Sequence, residues 1–138
     1  MTNEAVLRDN KVLVSRRYTC ATSTGIAKGC YLKNADAHTA SASTGTGDHF
    51  CGFAHADVNK STDTSFNTET SITADKGAMY ELLASGAIAV NQKVKTAAPG
   101  NMVMAALDAD VTSSYAIIVG IAREAASDGE TINVEVFP

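Results

Sequence analysis

The clearest pattern of apolar and polar positions lies near the C-terminus of the chain. Residues 115–122 form an apolar run rich in Ile and Val, and the apolar residues of 132–136 then alternate with polar ones. These patterns are typical of a strand buried on both faces and of a strand with one wet face. The break between them contains Asp128 and Gly129, a pair that favours a tight turn. The pattern predicts a hairpin over residues 114–137 whose first strand is central.

Strand character also appears in the first part of the chain. Residues 11–21 and 30–32 are short apolar stretches on either side of a turn signal at 23–25, and this spacing predicts a hairpin. Residues 39–48 are small, polar and rich in glycine, so we expect a mobile loop there. Residues 50–56 then resume strand character.

The middle of the chain is less regular. Residues 57–71 form its longest polar stretch, and loops of this length are uncommon in compact domains. Residues 72–86 fit strand alternation, but 79–85 consists of good helix formers. We therefore expect a strand that ends in a short helical turn.

A third hairpin is predicted between two apolar stretches in the second half. Residues 88–96 and 102–107 flank Pro99 and Gly100. Pro at the first central position and Gly at the second favour a type II turn.

The two halves of the chain resemble each other weakly. Residues 26–33 match 88–95 in their apolar and basic pattern, and Gly-x-Ala recurs at 52–54 and 120–122. Each half then passes through a polar turn into a Thr-containing strand start. Such self-similarity indicates two copies of one hairpin-based unit, which would pack together as a small barrel or sandwich.

These patterns predict an all-β fold, a small β-barrel or sandwich built from hairpins with a weak internal repeat and one short helical turn. At 138 residues the chain suits a single domain. Residues 1–9 have no sustained periodicity. We therefore divide the chain into an N-terminal arm over 1–11 and one β-rich domain over 12–138.

Charge is distributed unevenly along the chain. The net charge is −4, yet residues 1–33 contain six basic and two acidic residues. The basic residues are scattered and have no aromatic stacking platform between them, which argues against nucleic-acid binding. A solvated or subunit-docking surface fits this pattern better.

Composition also bears on the compartment. Cys20, Cys30 and Cys51 are odd in number, and no signal segment opens the sequence, so we expect free thiols in a reducing compartment. No apolar run approaches the roughly 20 residues that span a bilayer. We therefore expect a soluble protein with no membrane partner.

Cysteines and histidines of the first half of the chain are candidate ligands of a zinc site. Its candidate ligands lack the paired spacing of structural zinc sites, so we expect no metal and no cofactor. The ligands considered are Cys30, His38, His49, Cys51 and His55.

Other chemistry is weakly supported. Cys51 beside a histidine is a candidate nucleophile, but no glycine-rich elbow accompanies it. Asp108 and Asp110 are more simply explained as the wet side of a strand end. The Gly-rich stretch 44–47 lacks the Lys and helix of a phosphate loop. We expect no enzymatic activity.

Three stretches resemble the capsid decoration, or cement, proteins of tailed bacteriophages and related viruses. They are the ending 119–137, the central 77–82 and residues 89–94, and the likeness extends from about Gly25 to the C-terminus. The resemblance implies a β-rich homotrimer, made in the host cytoplasm, that binds the major capsid protein on the outside of an icosahedral shell and stabilises it.

The unpatterned N-terminal arm suits that role, because the basic bias of residues 1–33, opposite to the acidic rest of the chain, favours a groove on another subunit. Two alternatives stay open, a non-viral oligomeric β-barrel that binds a ligand and a small hydrolase that uses Cys51. The predicted capsid-contact residues are Thr2, Asn3, Glu4, Val6, Leu7 and Arg8.

Overall fold

The structure, a computed structural model, describes residues 4–8, 14–20, 26–34, 36–58, 71–106 and 117–138. This part of the chain forms strands joined by turns, which confirms the all-β prediction. No helix in these ranges is long and apolar enough to cross a membrane. The strands are β1 (Val6–Leu7), β2 (Val14–Cys20), β3 (Tyr31–Asn34), β4 (Thr39–Ala42), β5 (Phe50–Ala54), β6 (Ser71–Lys76), β7 (Met79–Leu83), β8 (Lys93–Ala97), β9 (Met102–Ala105), β10 (Ile118–Ala122) and β11 (Thr131–Val136).

The strands form two sheets. Five of them close into a barrel in the order β2-β4-β3-β5-β6. The other six form a sheet in the order β1-β7-β11-β10-β8-β9. The predicted central strand is confirmed, since β10 lies between β8 and β11 and four of its five residues are buried.

The two sheets repeat one topology, which confirms the internal repeat. Strands β2 to β6 correspond in order to β7 to β11, and both sets are arranged as first, fifth, fourth, second and third strand. In the barrel, β4 closes onto β2 in parallel. In the sheet a single parallel bridge joins Ala84 to Val103 at the corresponding place. Each copy is thus a sheet by itself, rather than half of one shared barrel.

Backbone hydrogen bonds follow the same repeat. Ile26 exchanges both backbone bonds with Val58, as Ile88 does with Ala126. The amide of Gly29 donates to Ala54, and the amide of Asn91 donates to Ala122. The sequence correspondence of 26–33 with 88–95 therefore has the correct register.

The recurring Gly-x-Ala has a steric cause. A side chain at Gly52 would have its Cβ 2.9 Å from the carbonyl oxygen of Asp75 on β6. A side chain at Gly120 would press against the carbonyl oxygen of Glu135, the equivalent residue on β11. Only glycine lets the neighbouring strand approach so closely.

The hairpin predicted between residues 11–21 and 30–32 is wrong. β2 pairs with β6, more than 50 residues later, and β3 pairs with β4 and β5. Residues 11–13 and 21–25 lie outside the described part of the chain. Sequence neighbours do not pair here because β3 already has partners on both edges.

The helical turn predicted over 79–85 is also wrong. Residues 72–86 contain two strands, β6 in the barrel and β7 in the second sheet, separated at Gly77 and Ala78. Tyr80 and Leu82 are buried while Met79 and Glu81 are half-buried, the alternation of a strand. Burial of this face outweighs the helix propensity of the side chains.

The loop predicted over 39–48 contains strand β4 and an ordered turn. The carboxylate of Asp48 accepts hydrogen bonds from the Ser43 hydroxyl at 2.8 Å and the Gly45 amide at 2.9 Å. The Asp48 amide donates to the Thr96 hydroxyl of β8 at 2.9 Å. This turn therefore links the barrel to the second sheet. Of the long polar stretch 57–71, residues 59–70 lie outside the described part of the chain.

The hairpins predicted in the second half are confirmed by the pairing of β8 with β9 and of β10 with β11. The type II turn is not found. The Ala98-Pro99 peptide bond is cis, and the amide of Gly100 donates to the carbonyl of Ala97 at 3.0 Å. Pro99 thus occupies the second central position, as in a type VI turn.

Two buried clusters stabilise the molecule. One fills the barrel and includes all three cysteines. The other cluster joins the two sheets, because the side chains of Tyr31 and Phe53, on strands of the barrel, pack with residues of β7 to β11. Phe53 lies 4.4 Å from Tyr80 between ring centroids, and such aromatic contacts add to the free energy gained by burial.

Candidate functional site

The predicted capsid-contact residues lie at the edge of the second sheet. Val6 and Leu7 form β1, which pairs antiparallel with β7 of the same chain. Their side chains are 49% and 41% exposed, and among the described residues only Val90 is a comparably exposed large apolar residue. Glu4 is half-buried. Thr2 and Asn3 lie outside the described part of the chain.

Three contacts fix β1 on the body. The Ala5 amide donates to the Gly29 carbonyl at 2.9 Å, and the Arg8 amide donates to the Met79 carbonyl at 2.8 Å. The Arg8 guanidinium lies 3.7 Å from the Glu81 carboxylate. Both charged side chains keep substantial solvent exposure. This ion pair therefore helps to fix the register of β1 on β7 and adds little to stability.

The residues that receive β1 are not evident from the sequence alone. Gly29 has φ +84°, and a Cβ there would lie 2.5 Å from the Ala5 carbonyl oxygen. The available clue in the sequence is the glycine itself, because glycine adopts a positive φ at little cost. Nothing in the sequence linked Glu81 to Arg8, because the pairing is non-local.

A cavity of about 370 Å³ opens beneath β1, between the barrel and β7. Aromatic faces and charged groups share its wall, so the cavity suits a small amphipathic group. Its lining residues are Ala5, Leu7, Lys28, Gly29, Phe53, Ala54, His55, Asp75 and Tyr80.

A polar cluster lies at the wall of this cavity. The Asp75 carboxylate, almost fully buried, accepts a hydrogen bond from the Ser15 hydroxyl at 2.6 Å and contacts His55 Nδ1 at 2.6 Å. Ser15 and His55 therefore both bind the carboxylate. A serine nucleophile requires a hydroxyl bonded to the histidine, so this order does not fit a Ser-His-Asp relay.

The cysteines lie in an environment that disfavours thiolates. Burial raises the pKa of Cys51 to about 12 and the pKa of Cys30 to about 11. The thiol forms are therefore favoured at neutral pH, whereas a cysteine nucleophile must be a thiolate. Both residues belong to the cluster inside the barrel.

The residues considered for zinc are spread over the barrel. Cys30 and Cys51 are buried, while His38, His49 and His55 are exposed. In the described part of the chain no three His, Cys, Asp or Glu side chains are grouped to hold a metal ion. Asp108 and Asp110 lie outside it.

The fold is similar to that of a solved phage protein. The crystal structure of the head fiber gp8.5 N base of bacteriophage phi29 superposes with a TM-score of 0.53 over 89% of this chain and 92% of that chain, at 16% sequence identity. No protein-family model and no curated protein matches the sequence. The likeness therefore concerns the fold.

Proposed function

We propose that the protein is a structural component of a phage virion, and more specifically a decoration protein that binds the outside of an icosahedral capsid and stabilises it. The observation that carries this proposal is the likeness to the phi29 head fiber base over nearly the full length of both chains. The resemblance of residues 77–82, 89–94 and 119–137 to decoration proteins supports the same role independently of the fold.

The chemistry of the body agrees with a binding role. The candidate nucleophiles are a buried thiol with a raised pKa and a serine bonded to a carboxylate. A decoration protein needs no reacting group, only a rigid body and a contact surface. We propose a homotrimer, as the resemblance to decoration proteins implies. Many copies on a symmetric shell would then gain by avidity what one contact lacks.

The contact surface that we propose includes β1 and the residues before it. Val6 and Leu7 present apolar side chains to solvent beside the Arg8 charge. An apolar anchor with a charged rim is typical of protein interfaces. The partner on the shell is then the major capsid protein.

The test is co-sedimentation of the purified protein with capsids stripped of it. Deletion of residues 2–9 should abolish binding while circular dichroism still reports a folded β protein. The point variant Val6→Ser should weaken binding, whereas the control Val90→Ser, at an equally exposed valine elsewhere, should not. Undiminished binding of the deletion variant would contradict docking through β1. If even the wild-type protein stays in the supernatant, the capsid role fails.

The cavity favours a second candidate, an oligomeric β-barrel that binds a small ligand. Its volume of about 370 Å³ is within the range of ligand pockets, and it combines aromatic walls with His55 and Asp75. Such a protein would not bind capsids, so the same sedimentation experiment distinguishes the two candidate functions.

A further inference from the structure

The internal repeat places the edge that β1 occupies at a second position on the barrel. Leu83 of β7 pairs with Thr131, and Thr19 of β2 pairs with the equivalent Ser71. Counting back along each strand, Ser15 and Arg17 correspond to Met79 and Glu81. Met79 and Glu81 are the β7 residues whose backbone groups point toward β1, since the Met79 carbonyl accepts from the Arg8 amide and Glu81 lies opposite Val6.

The backbone of β2 is oriented to receive a strand there. The Thr19 amide donates to the His38 carbonyl at 2.8 Å, on the side away from β6. Alternate residues of a strand direct their amide and carbonyl to the same side. The backbone amides and carbonyls of Ser15 and Arg17 therefore also point away from β6. β4 pairs only with Thr19 and Cys20, and no described strand pairs with 14–17 on this side.

The charge at this edge is opposite to that on β7. Glu81 forms an ion pair with Arg8 of β1, but the equivalent residue on β2 is Arg17. Arg16 and Arg17 are exposed, and within the described ranges neither forms an ion pair. A strand that docks as β1 does would place the residue at the position of Arg8 beside Arg17.

We propose that the outer edge of β2 at residues 14–17 is a docking site for an extended acidic segment of a partner protein, which adds an antiparallel strand to the barrel as β1 does to the sheet. Strand addition of this kind takes its affinity from backbone bonds and its specificity from side-chain charge. A second copy of the chain's own N-terminal segment is disfavoured, because it would bring Arg8 against Arg17. Only the identification of the partner as the shell protein rests on the proposed function.

The first experiment uses two peptides and the full-length protein. One octapeptide copies residues 2–9, and the other is the same peptide with Arg8→Glu. Titration followed by amide chemical shifts should show saturable binding of the Glu peptide, with the largest shifts at Ser15 and Arg17. The Arg peptide should bind that edge about tenfold more weakly. Equal affinities, shifts confined to β7, or no shift at Ser15 and Arg17 up to the solubility limit would overturn the proposal.

A charge-reversal variant supplies the control. Arg17→Glu should weaken the Glu peptide about tenfold and strengthen the Arg peptide. Lys93→Glu, which reverses one basic charge on β8 of the second sheet, should change neither affinity. Equal effects of the two variants would show that the peptide responds only to the net charge of the protein, and this result would overturn the edge site.

Capsid binding separates this inference from the proposed function. If wild-type protein sediments with stripped capsids and Arg17→Glu does so less, both proposals are supported. Equal sedimentation of the two proteins would overturn the edge as a shell contact and leave the capsid role standing. If neither sediments, the capsid role fails, and the peptide titration alone decides whether the edge takes an acidic strand.

Discussion

At the scale of single residues, backbone conformation decides where β1 lies. Gly29 adopts φ +84° and offers its carbonyl to the Ala5 amide. The equivalent residue in the second copy is Asn91, at φ 63°, with an exposed side chain. The two copies therefore share one backbone conformation at this position. Only in the first copy must the residue also lack a side chain, because another segment packs against it.

We predict that Gly29→Ala loosens β1. A positive φ costs a non-glycine residue about 1–2 kcal/mol, and the added Cβ would also collide with the Ala5 carbonyl oxygen. Gly129→Ala is the matched control, since Gly129 has φ +82° with nothing within 4 Å. Urea unfolding should show a larger loss for Gly29→Ala, and only that variant should speed hydrogen exchange at the Arg8 amide. Equal losses would show that the close approach contributes nothing.

We predict that Asp48 contributes to acid stability. Burial raises its pKa, but the hydrogen bonds from Gly45 and Ser43 and the charge of Lys33 outweigh burial, so its pKa lies below the ordinary value of 3.8. A carboxyl group with a lowered pKa stabilises the folded state above its unfolded pKa, and this contribution is lost as pH falls through the folded pKa.

The measurement is the free energy of unfolding of wild type and Asp48→Asn as a function of pH. Asp48→Asn should be less stable at neutral pH, and the difference should shrink below about pH 4. A constant difference across this range would contradict the assignment.

At the scale of elements, β10 shows how the burial of each position in a strand determines whether a charged substitution is tolerated. It lies between β8 and β11, and Val119 belongs to the cluster shared by both sheets, whereas Ile121 is only half-buried. An unpaired charge is costly at the first position and partly hydrated at the second.

We predict that Val119→Asp abolishes soluble expression, because an unpaired buried carboxylate costs several kcal/mol. Ile121→Asp should still fold, since Lys93 lies opposite it on β8. Circular dichroism and yield of soluble protein measure both outcomes. A folded Val119→Asp protein would show that this strand is not part of the core.

At the scale of the whole molecule, the two copies of the repeat are joined by polar and aromatic contacts. The Tyr31 amide of the barrel donates to the side-chain oxygen of Asn101, a buried residue in the turn between β8 and β9, at 3.1 Å. The turn at residues 43–48 also forms hydrogen bonds with the Thr96 hydroxyl of β8. Because Phe53 and Tyr80 also pack the two copies against each other, we expect the copies to unfold together.

We predict that Asn101→Ala lowers the stability of this single transition by about 1–3 kcal/mol, because the buried Tyr31 amide loses its acceptor. Asn91→Ala is the control, since Asn91 shares the positive φ but is exposed. Calorimetry should show one transition for both variants, with the larger loss for Asn101→Ala. Two separate transitions in the wild-type protein would contradict the coupling of the copies.

Much of the local structure was predictable from the sequence. The hairpins of β8 with β9 and of β10 with β11 follow from alternation and turn residues, because their partners are adjacent in the chain. The register of the repeat was also readable, since the close strand contacts at Gly52 and Gly120 demand glycine in both copies.

What only the tertiary structure decided is non-local. The pairing of β2 with β6, the closure of β2 with β4, and the position of β1 on β7 each depend on which strand edge is left free once neighbouring pairs have formed. Alternation along one strand states which face is buried but not which edge meets which partner. For that reason the sequence predicted residues of β1 as contacts, and only the fold showed that Gly29, Met79 and Glu81 hold them. Only the fold also showed that the equivalent edge at Arg17 is not paired with any other strand in the described part of the chain.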